Sequence, residues 1–456
     1  MRKFKLQMFF TSLLILTAGL LNAQMYGKWV IPAYSSGETN STSYQLTFSE
    51  NGIIEDELST SIPGNRFIVS AGAYNDYYDL ILYNIDENIY DDESNVVGEI
   101  NPTSSSIMPD FQIISKPGSI NEYLIFFSSK KNNSYPYTAY CVAAIDEITG
   151  EIDISYNDDW EICDNQIGYA AFAISDEINE SRYLYASIDG SEAIPYNGLV
   201  RFLISQEGIG NATLLFDPSN TNLGMNDFES YNLEMNASAG NHTFAWIHGN
   251  DEPYFNLNVS EIIVINGNSD QRFDLNLGRI GGIEFSHFEE NIIYASCTER
   301  GIVKLNYVTG TVSDVYAPAT PDYSRTFLQT APDGHIYAVS NDGMKLGRIL
   351  QHGNNAGTFQ PVAHQFPTNK SIATYTYFDD LKYYILPENE RIHTSLEVTV
   401  LTEPESCPDY YDGRAKIFVS GGVPFDDEDA PYNITSTPTA NWQWDVDDFY
   451  FYTHDL

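Results

Sequence analysis

The sequence is poor in basic residues, and it lacks the common motifs of catalysis. It holds 22 Lys and Arg against 63 Asp and Glu, which gives a formal net charge of −41. A field of that sign repels phosphate backbones and anionic lipids, so nucleic acid is not expected as a partner. The sequence contains no C-x-x-C, H-E-x-x-H, G-x-S-x-G or phosphate-loop motif. It therefore gives no support for a zinc site, a redox pair or a common type of catalytic nucleophile.

Cysteine is equally scarce, with four positions in the whole chain, Cys141, Cys163, Cys297 and Cys407. Export of the protein would permit disulfides. Cys141 and Cys163 therefore either pair with one another or are both small core residues. Cys297 lies in a predicted strand, where we expect a buried and inert thiol.

Helical periodicity is missing after the N-terminus, and the N-terminus itself has the pattern of an export signal. Three basic residues within the first five precede an apolar run, Met8–Leu21. This run is too short and too close to the N-terminus for a membrane span, so residues 1–23 are predicted to be a signal peptide. The mature chain would begin at Gln24. No later segment is long and apolar enough to cross a bilayer. The sequence thus predicts a secreted or cell-surface protein with no integral membrane segment after cleavage.

Apolar alternation with a period of two is the dominant pattern in the rest of the chain. In residues 291–316, three alternating stretches, Asn291–Cys297, Ile302–Tyr307 and Thr311–Tyr316, are separated by short turns that contain Gly. This is the pattern of an antiparallel sheet, and the 33 Tyr residues suit half-exposed strands. A lone three-stranded sheet cannot bury its face, so the unit is expected to pack against copies of itself.

Copies of this unit recur along the chain at intervals of 45 to 63 residues. A repeat of about 40–50 residues with several short strands is the signature of a β-propeller blade. The first, innermost strand of each copy is predicted at Arg66–Ser70, Phe111–Ile114, Ala170–Ala173, Leu233–Asn236, Gly282–Phe285, Phe327–Thr330 and Ala373–Thr376. Leu80–Asp86 is predicted to be a third strand. The D-G pairs Asp189–Gly190, Asp333–Gly334 and Asp342–Gly343 are expected to be turns.

The two ends of the repeat region are predicted to complete each other. The last copy, Ala373–Leu386, holds about two strands, and the stretches Lys28–Ala33 and Tyr44–Phe48 supply strands without an inner partner. Joining them into one composite blade removes the free sheet edges. The result is an all-β propeller of seven blades, with six or eight as alternatives. It would occupy residues 24–387, followed by a linker at 388–395 and a further all-β unit at 396–456.

The C-terminal stretch follows a different pattern, with predicted strands at Leu396–Leu401 and Ala415–Val419. It contains a Cys, a D-G pair, an alternating strand, G-G-x-P with an aromatic residue, and a Trp. This order resembles the start of the repeats in the SprB-type gliding and surface adhesins of Bacteroidota. The matching residues are Cys407, Asp412, Gly413, Ile417, Val419, Gly421, Gly422, Pro424, Phe425, Tyr432, Trp442 or Trp444, and Leu456.

This resemblance implies part of a small immunoglobulin-like β-sandwich with Trp444 in its core, serving as a spacer or adhesive module. The final strands and closing Cys of the family pattern are missing before Leu456, as they would be in a fragment of a longer protein. By its strand pattern, the propeller region resembles the N-terminal propellers of large surface proteins exported by the type IX secretion system in the same phylum. Both resemblances imply surface adhesion or gliding motility.

Propellers bind ligands at the axial mouth, where loops from several blades meet. Aromatic residues in predicted loops, together with carboxylates, would suit a sugar there, or else they cover the outer faces of hairpins. The candidate ligand-binding residues are Tyr74, Tyr77, Tyr78, Tyr135, Tyr137 and Tyr254.

The acidic composition has two interpretations. The carboxylates are clustered at three places, Asp91–Glu93, Asp426–Asp429 and Asp445–Asp448. One interpretation is the solubility of a secreted surface protein. The other is Ca²⁺ binding, because hard cations prefer oxygen ligands. None of the clusters has the D-x-D-x-D-G spacing of a calcium loop. No other cofactor is expected.

Three functions remain open from the sequence. The first is an adhesin-like binding protein whose propeller is a scaffold for an extracellular protein or glycan. The second is a secreted propeller enzyme that acts on polysaccharide. Glycoside cleavage needs two carboxyl groups roughly 5–10 Å apart, and among 63 acidic residues the sequence selects no pair. The third is a structural spacer of a large surface protein. We expect binding rather than catalysis.

Overall fold

The computed structural model describes residues 25–31, 33–34, 40–49, 52–63, 71–74, 80–85, 88–100, 104–119, 121–131, 136–146, 149, 151–155, 161–163, 170–175, 181–188, 198–217, 233–238, 241–249, 260–266, 269–273, 278–286, 288–318, 322–324, 326–351, 355–367, 371–372, 374–377, 381–384, 388–389, 397–403, 414–420, 442–445 and 450–453. Every regular element in these ranges is a β-strand. Within them, no helix has the length and apolar character needed to span a membrane. The predicted signal peptide, residues 1–23, lies outside them.

Seven antiparallel sheets follow one another along the chain, and each is one blade. Blade 1 has β1 (Met25–Ile31), β3 (Asn40–Ser49) and β4 (Gly52–Pro63), with the short β2 (Ala33–Tyr34) between the first two. Blade 2 has β5 (Ala71–Tyr74), β6 (Leu80–Ile85), β7 (Asn88–Asp91) and β8 (Val96–Glu99). Blade 3 has β9 (Ser104–Ser115), β10 (Glu122–Lys131), β11 (Pro136–Ile145), β12 (Ile152–Ser155) and β13 (Glu161–Cys163).

The remaining four blades repeat the same up-and-down order. Blade 4 has β14 (Phe172–Ile174), β15 (Ser181–Ile188), β16 (Gly198–Ser205), β17 (Gly208–Ile209) and β18 (Thr213–Phe216). Blade 5 has β19 (Leu233–Ser238), β20 (Asn241–Gly249), β21 (Ser260–Asn266) and β22 (Ser269–Phe273). Blade 6 has β23 (Ile280–Phe285), β24 (Ile292–Cys297), β25 (Gly301–Asn306) and β26 (Thr311–Tyr316). Blade 7 has β27 (Gln329–Thr330), β28 (Ile336–Val339), β29 (Lys345–Ile349) and β30 (Phe359–Gln365).

Blade 6 illustrates how the sequence produces these sheets. Side chains along β24 are buried throughout, whereas β26 at the outer edge carries exposed positions. The turn between β25 and β26 is closed by Asn306, whose Oδ1 accepts hydrogen bonds from the N–H groups of Val308 and Thr309 at 3.1 and 2.9 Å. Gly310 follows with a φ of +70°, a conformation that favours glycine. The three strands predicted within residues 291–316 are confirmed.

Seven buried apolar clusters join the blades, one at each junction of a closed ring. Five of them lie between blades 2 and 3, 3 and 4, 4 and 5, 5 and 6, and 6 and 7. The other two join blade 1 to blade 2 and blade 1 to blade 7. Each sheet therefore buries both of its faces against neighbours. The fold is an all-β, seven-bladed propeller, as predicted.

The ring closes between blades 1 and 7 through aromatic side chains. The rings of Trp29 and Phe48 in blade 1 pack edge-on against Tyr337 in blade 7, with centroids 5.8 and 5.4 Å apart. The main chain adds a short antiparallel pairing of β2 with β31 (Ser371–Ile372). Burying a large apolar side chain stabilises a fold by about 1.5–3 kcal/mol. Among the described residues, the closure thus depends chiefly on packing, because the strand pairing there spans two residues on each side.

The closing blade agrees with the prediction in part. The three long strands of blade 1 come from residues 25–63, whereas the prediction was that Ala373–Leu386 completes the N-terminal strands. The end of the chain does contribute, because β31 lies directly before that segment and pairs with β2. Within the segment, β32 (Thr374–Tyr377) and β33 (Leu381–Tyr384) pair with each other. The sequence did not predict β4 because three consecutive acidic residues, at positions 55–57, interrupt its apolar alternation.

Blade 2 also differs from its predicted strand order. Leu80–Asp86 was predicted as a third strand, but its residues form β6, the second strand, because β7 and β8 follow it outward in the sheet. In chain order β5 is the first described strand of this blade, and the late β34 (Glu388–Asn389) pairs with it on the axial side. The predicted innermost strand, Arg66–Ser70, lies outside the described residues.

Two of the four cysteines are buried free thiols, Cys141 and Cys297. The alternative in which Cys141 pairs with Cys163 is therefore wrong, and Cys141 is a small core residue. Burial raises the pKa of the Cys141 thiol to about 12. Burial likewise raises the pKa of Cys297, to about 11. The expected burial of Cys297 is confirmed. A thiol that is buried and protonated is a poor nucleophile, so its inertness stays a prediction.

The C-terminal segment forms one antiparallel sheet in the described ranges. Its order is β35 (Glu397–Glu403), β36 (Arg414–Ser420), β38 (Tyr450–Thr453) and β37 (Trp442–Asp445). The strands predicted at Leu396–Leu401 and Ala415–Val419 correspond to β35 and β36, and Trp444 lies in β37. A sandwich requires a second sheet, so the immunoglobulin-like fold stays a prediction. The motif residues outside the described ranges are Cys407, Asp412, Gly413, Gly421, Gly422, Pro424, Phe425, Tyr432 and Leu456.

Candidate functional site

Blades 2 to 7 share one orientation, which gives the ring two faces. Face I is the side where each first strand turns into the second, as where β5 ends and β6 begins. Face II is the side where the second strand turns into the third, as where β24 ends and β25 begins. A contact between neighbouring blades agrees with this assignment, because Gln206 Nε2 of blade 4 donates to the Gly118 carbonyl of blade 3 at 3.5 Å. Both residues lie in turns on face I.

The predicted tyrosines divide between the two faces. Tyr74 ends β5 at face I, is buried, and donates its hydroxyl proton to the Lys28 carbonyl of blade 1. Tyr137 lies near the face II end of β11, where it is fully buried and packs edge-on against Phe127 with centroids 6.4 Å apart. Both rings are therefore part of the blade packing. Tyr77, Tyr78, Tyr135 and Tyr254 lie outside the described residues, so the role of these tyrosines in ligand binding stays a prediction.

A different group of aromatic and polar residues lies on face II where blades 6 and 7 meet. We call it the blade 6–7 cluster, and its members are Tyr316, Asp322, Tyr323, Ser324, Asn341 and Asp342. Tyr316 ends the outer strand of blade 6, the next three residues lie on the connection to blade 7, and the last two lie in the β28–β29 turn. Asp322, Asn341 and Asp342 are exposed, and Tyr316 is half-buried.

Hydrogen bonds fix the connection to the turn within this cluster. Asn341 Oδ1 accepts from the Ser324 N–H at 3.0 Å, and Asn341 Nδ2 lies 3.0 Å from Ser324 Oγ. The Asn341 N–H donates to the Asp322 carbonyl at 2.5 Å. In the turn itself, Asp342 Oδ1 accepts from the Met344 N–H at 3.0 Å. The polar groups are thus held in place before any ligand arrives.

The aromatic side of the cluster is anchored to the outer strand of blade 7. The Tyr323 hydroxyl donates to the Pro361 carbonyl, and the Tyr323 ring packs edge-on against Phe359 with centroids 5.0 Å apart. Tyr316 packs on the same Phe359 ring at 4.8 Å. Gly347 makes this packing possible, because a Cβ there would lie 2.3 Å from Phe359 Cζ.

The surroundings of Asp342 and Tyr316 shift the pKa values of both groups. Burial acts to raise the pKa of Asp342, but hydrogen bonds from Ser340 and the Met344 N–H, together with the charge of Lys345, give a net lowering. Burial raises the pKa of Tyr316, and the negative charge of Asp322 raises it further. The tyrosines therefore remain neutral donors beside an ionised Asp342.

An aromatic ring beside carboxylate and amide groups is suited to a polyhydroxylated ligand. The ring face supplies apolar contact area, and the oxygens of Asp322 and Asp342 accept hydrogen bonds from hydroxyl groups. The sequence did not predict this cluster because its members lie on three separate segments. Only the turn at Asp342–Gly343 was predicted, and a Gly343 φ of +70° confirms it.

The structure describes all residues of one of the three carboxylate clusters, Asp91–Glu93. Asp91 is engaged in a local turn, since its Oδ1 accepts from the Asn95 N–H at 2.7 Å and its Oδ2 accepts from Asn95 Nδ2 at 2.8 Å. Across the described ranges, no group of three or more His, Cys, Asp or Glu residues is arranged to hold a metal ion. Ca²⁺ binding stays a prediction.

Comparison with known proteins gives structural likenesses alone. No family model and no curated protein matches the chain. Sqt1 of Saccharomyces cerevisiae is 8% identical, over 88% of this chain and 94% of that chain, with a TM-score of 0.40. The periplasmic gluconolactonase PpgL of Pseudomonas aeruginosa is 9% identical, over 76% and 98%, at 0.40. AztD of Citrobacter koseri is 11% identical, over 77% and 90%, at 0.38. These likenesses are too distant to carry an argument, so the propeller assignment rests on the seven sheets and their junctions.

Proposed function

We propose that this propeller is the interaction scaffold of a secreted or cell-surface, adhesin-like binding protein. Its ligand is an extracellular glycan, with an extracellular protein as the alternative. The observation that carries the proposal is the blade 6–7 cluster, where a half-buried Tyr316 stands beside the exposed Asp322 and Asp342. The export pattern of residues 1–23 and the adhesin-like pattern after Cys407 support the location and the role.

The charge of the site narrows the class of glycan. Two exposed carboxylates, within a chain of net charge −41, repel sulfated or uronic-acid polymers. Neutral sugars instead offer hydroxyl donors to the carboxylates and a C–H face to the Tyr316 ring. We therefore expect neutral glycans to bind in preference to anionic ones.

The test is binding of the full mature chain to an array of neutral and anionic glycans, followed by calorimetry on the best ligand. Tyr316→Ala and Asp322→Asn should each weaken binding about tenfold or more, as removal of a central contact does. Asp153→Asn removes an exposed carboxylate on β12 of blade 3 and should leave the affinity unchanged.

Two results would contradict the proposal, and a third would select its alternative ligand. Equal affinities for all three variants and the parent would remove the blade 6–7 cluster as the site. Conversion of a glycan during the assay, lost in Asp322→Asn, would favour the polysaccharide-degrading enzyme. Failure to bind any glycan, with binding of a matrix protein instead, would select the protein ligand.

A further inference from the structure

The chain returns to the centre of the ring after its last hairpin. β34 (Glu388–Asn389) pairs with β5 in parallel, with Glu388 opposite Ala71 and Asn389 opposite Gly72. The sheet order is β34-β5-β6-β7-β8, so β34 lies on the axial side of blade 2. It also contacts β9, the innermost strand of blade 3. Two residues of the predicted linker, 388–395, therefore line the central channel.

A side chain from the opposite part of the ring fills the same region. Phe327, next to β27 of blade 7, is buried in the apolar cluster between blades 2 and 3, which contains Ala71 and Phe111. Blade 1 separates blade 7 from blade 2, so this ring reaches across the axis. The close approach requires Gly282 on β23, because a Cβ there would lie 2.5 Å from Phe327 Cα. The axis is occupied by protein at this level.

The direction of β34 determines where the chain leaves the ring. Parallel strands run the same way, and β5 runs toward face I, where it turns into β6. The end of β34 therefore points to face I. The C-terminal sheet begins at Glu397, and residues 390–396 connect it to Asn389.

That connection is too short to bring the C-terminal sheet to the other face. Eight residue steps span at most about 29 Å when fully extended. A path around the rim must first cross from β34 past β8, four strand spacings or about 19 Å. It must then run about 20 Å along a strand of six residues such as β6. The direct path back through the axis is filled by Phe327 and by β34 itself.

We infer that the two faces have separate roles, with the C-terminal sheet tethered at the axis of face I and the ligand received on face II. The blade 6–7 cluster lies on face II, away from the tether. The strand ends support the division, because all three intervals of ten residues or more between described blade strands begin and end on face II. These intervals run for sixteen residues after Phe216, ten after Gly249 and twelve after Tyr316. Long connections on one face of a repeat fold are a common feature of its binding side.

The tether and the ligand side are tested by different measurements. The ligand half of the inference rests on the proposed function, whereas the tether half does not. Blade 6 offers a matched pair of exposed positions, Val308 in a face I turn and Glu299 in a face II turn. A spin label is introduced as a noncanonical amino acid at one of them and at Lys416 in β36, in the full mature chain.

Electron double resonance then compares the two distances. We expect the mean distance from Lys416 to Val308 to be shorter than that from Lys416 to Glu299. Equal distances, or the opposite order, would overturn the tether on face I. The Val308 and Glu299 positions belong to one rigid blade, so the order reports the side on which the C-terminal sheet lies.

Streptavidin coupled to the same two positions tests the ligand side, with the best neutral glycan of the array as probe. Coupling at Glu299 should abolish binding, and coupling at Val308 should leave it within about twofold. If coupling at Val308 abolished glycan binding and coupling at Glu299 did not, the ligand half would be overturned and the proposed function would stand. A chain that binds no glycan at all would contradict the proposed function, and the distance order would still decide the tether.

Discussion

His364 Nε2 lies 2.8 Å from Glu55 Oε2, which joins the outer strand of blade 7 to the outer strand of blade 1 across 309 residues of sequence. The two side chains are largely buried, with 13% and 17% of their surfaces exposed. The His364 ring also packs edge-on against Phe366 at 4.9 Å. This contact closes the rim of the ring, where the main chain makes no strand pairing among the described residues.

Breaking the rim contact should weaken the closure of the ring. We expect His364→Ala and Glu55→Gln each to lower the free energy of unfolding by about 1 kcal/mol, with a coupling of similar size in the double variant. Denaturant unfolding of the parent, the two single variants and the double variant measures the free energies and their coupling. Asp56→Asn, an exposed neighbour on β4, is the control and should be neutral. Strict additivity of the two substitutions would show that the contact contributes nothing.

The two buried thiols should be inert in the folded protein. Burial raises the pKa of Cys141 to about 12 and that of Cys297 to about 11, so the thiolate is scarce near pH 8. We expect iodoacetamide to leave both residues unmodified in the native chain and to alkylate both in denaturant. Peptide mass spectrometry locates the label. Rapid native labelling of Cys141 would contradict its placement in the core.

The blade 6–7 cluster should lose stability in acid. The pKa of Asp342 is lowered in the fold from its ordinary value of 3.8, so its contribution is complete above that value. The contribution is lost as the pH falls through the lowered folded pKa. Unfolding measured between about pH 5 and pH 2 should show a shallower decline for Asp342→Asn than for the parent. Parallel curves would mean that Asp342 is not held as the ionised group.

The close approach at the axis should not tolerate a methyl group. A Cβ on Gly282 would lie 2.8 Å from the Thr326 carbonyl oxygen and 2.5 Å from Phe327 Cα, which are main-chain atoms. We expect Gly282→Ala to destabilise the protein by about 2 kcal/mol or more, as overpacking does. Gly210→Ala is the control, because its nearest neighbour is 3.4 Å away. If both variants had equal unfolding midpoints, the main chains of blades 6 and 7 would have to lie further apart at the axis than this structure shows.

The sequence predicted the blades whose strands alternate without interruption, and it failed where the pattern has another cause. Ile292–Ser296 forms part of a buried strand, so its apolar residues identify it. β4 was missed because it lies at a sheet edge, where Asp56 and Glu57 are exposed and Glu55 contacts His364 of the next blade. The blade 6–7 cluster was missed for a different reason. Whether Asp322 and Asn341 meet depends on how two blades pack, and no local pattern records that packing.

The closure of the ring has a kinetic consequence. Trp29 and Phe48 belong to the first strands to leave the ribosome, yet their apolar partners include Tyr337 and Phe366, more than 280 residues later. Contacts of such separation raise the contact order and slow the final folding step. Until that step, two aromatic rings at the start of the chain stay available to other chains, so concentration governs the yield of refolding. A chain that ends before Phe366 would lack part of this partner surface and should aggregate through its earliest strands.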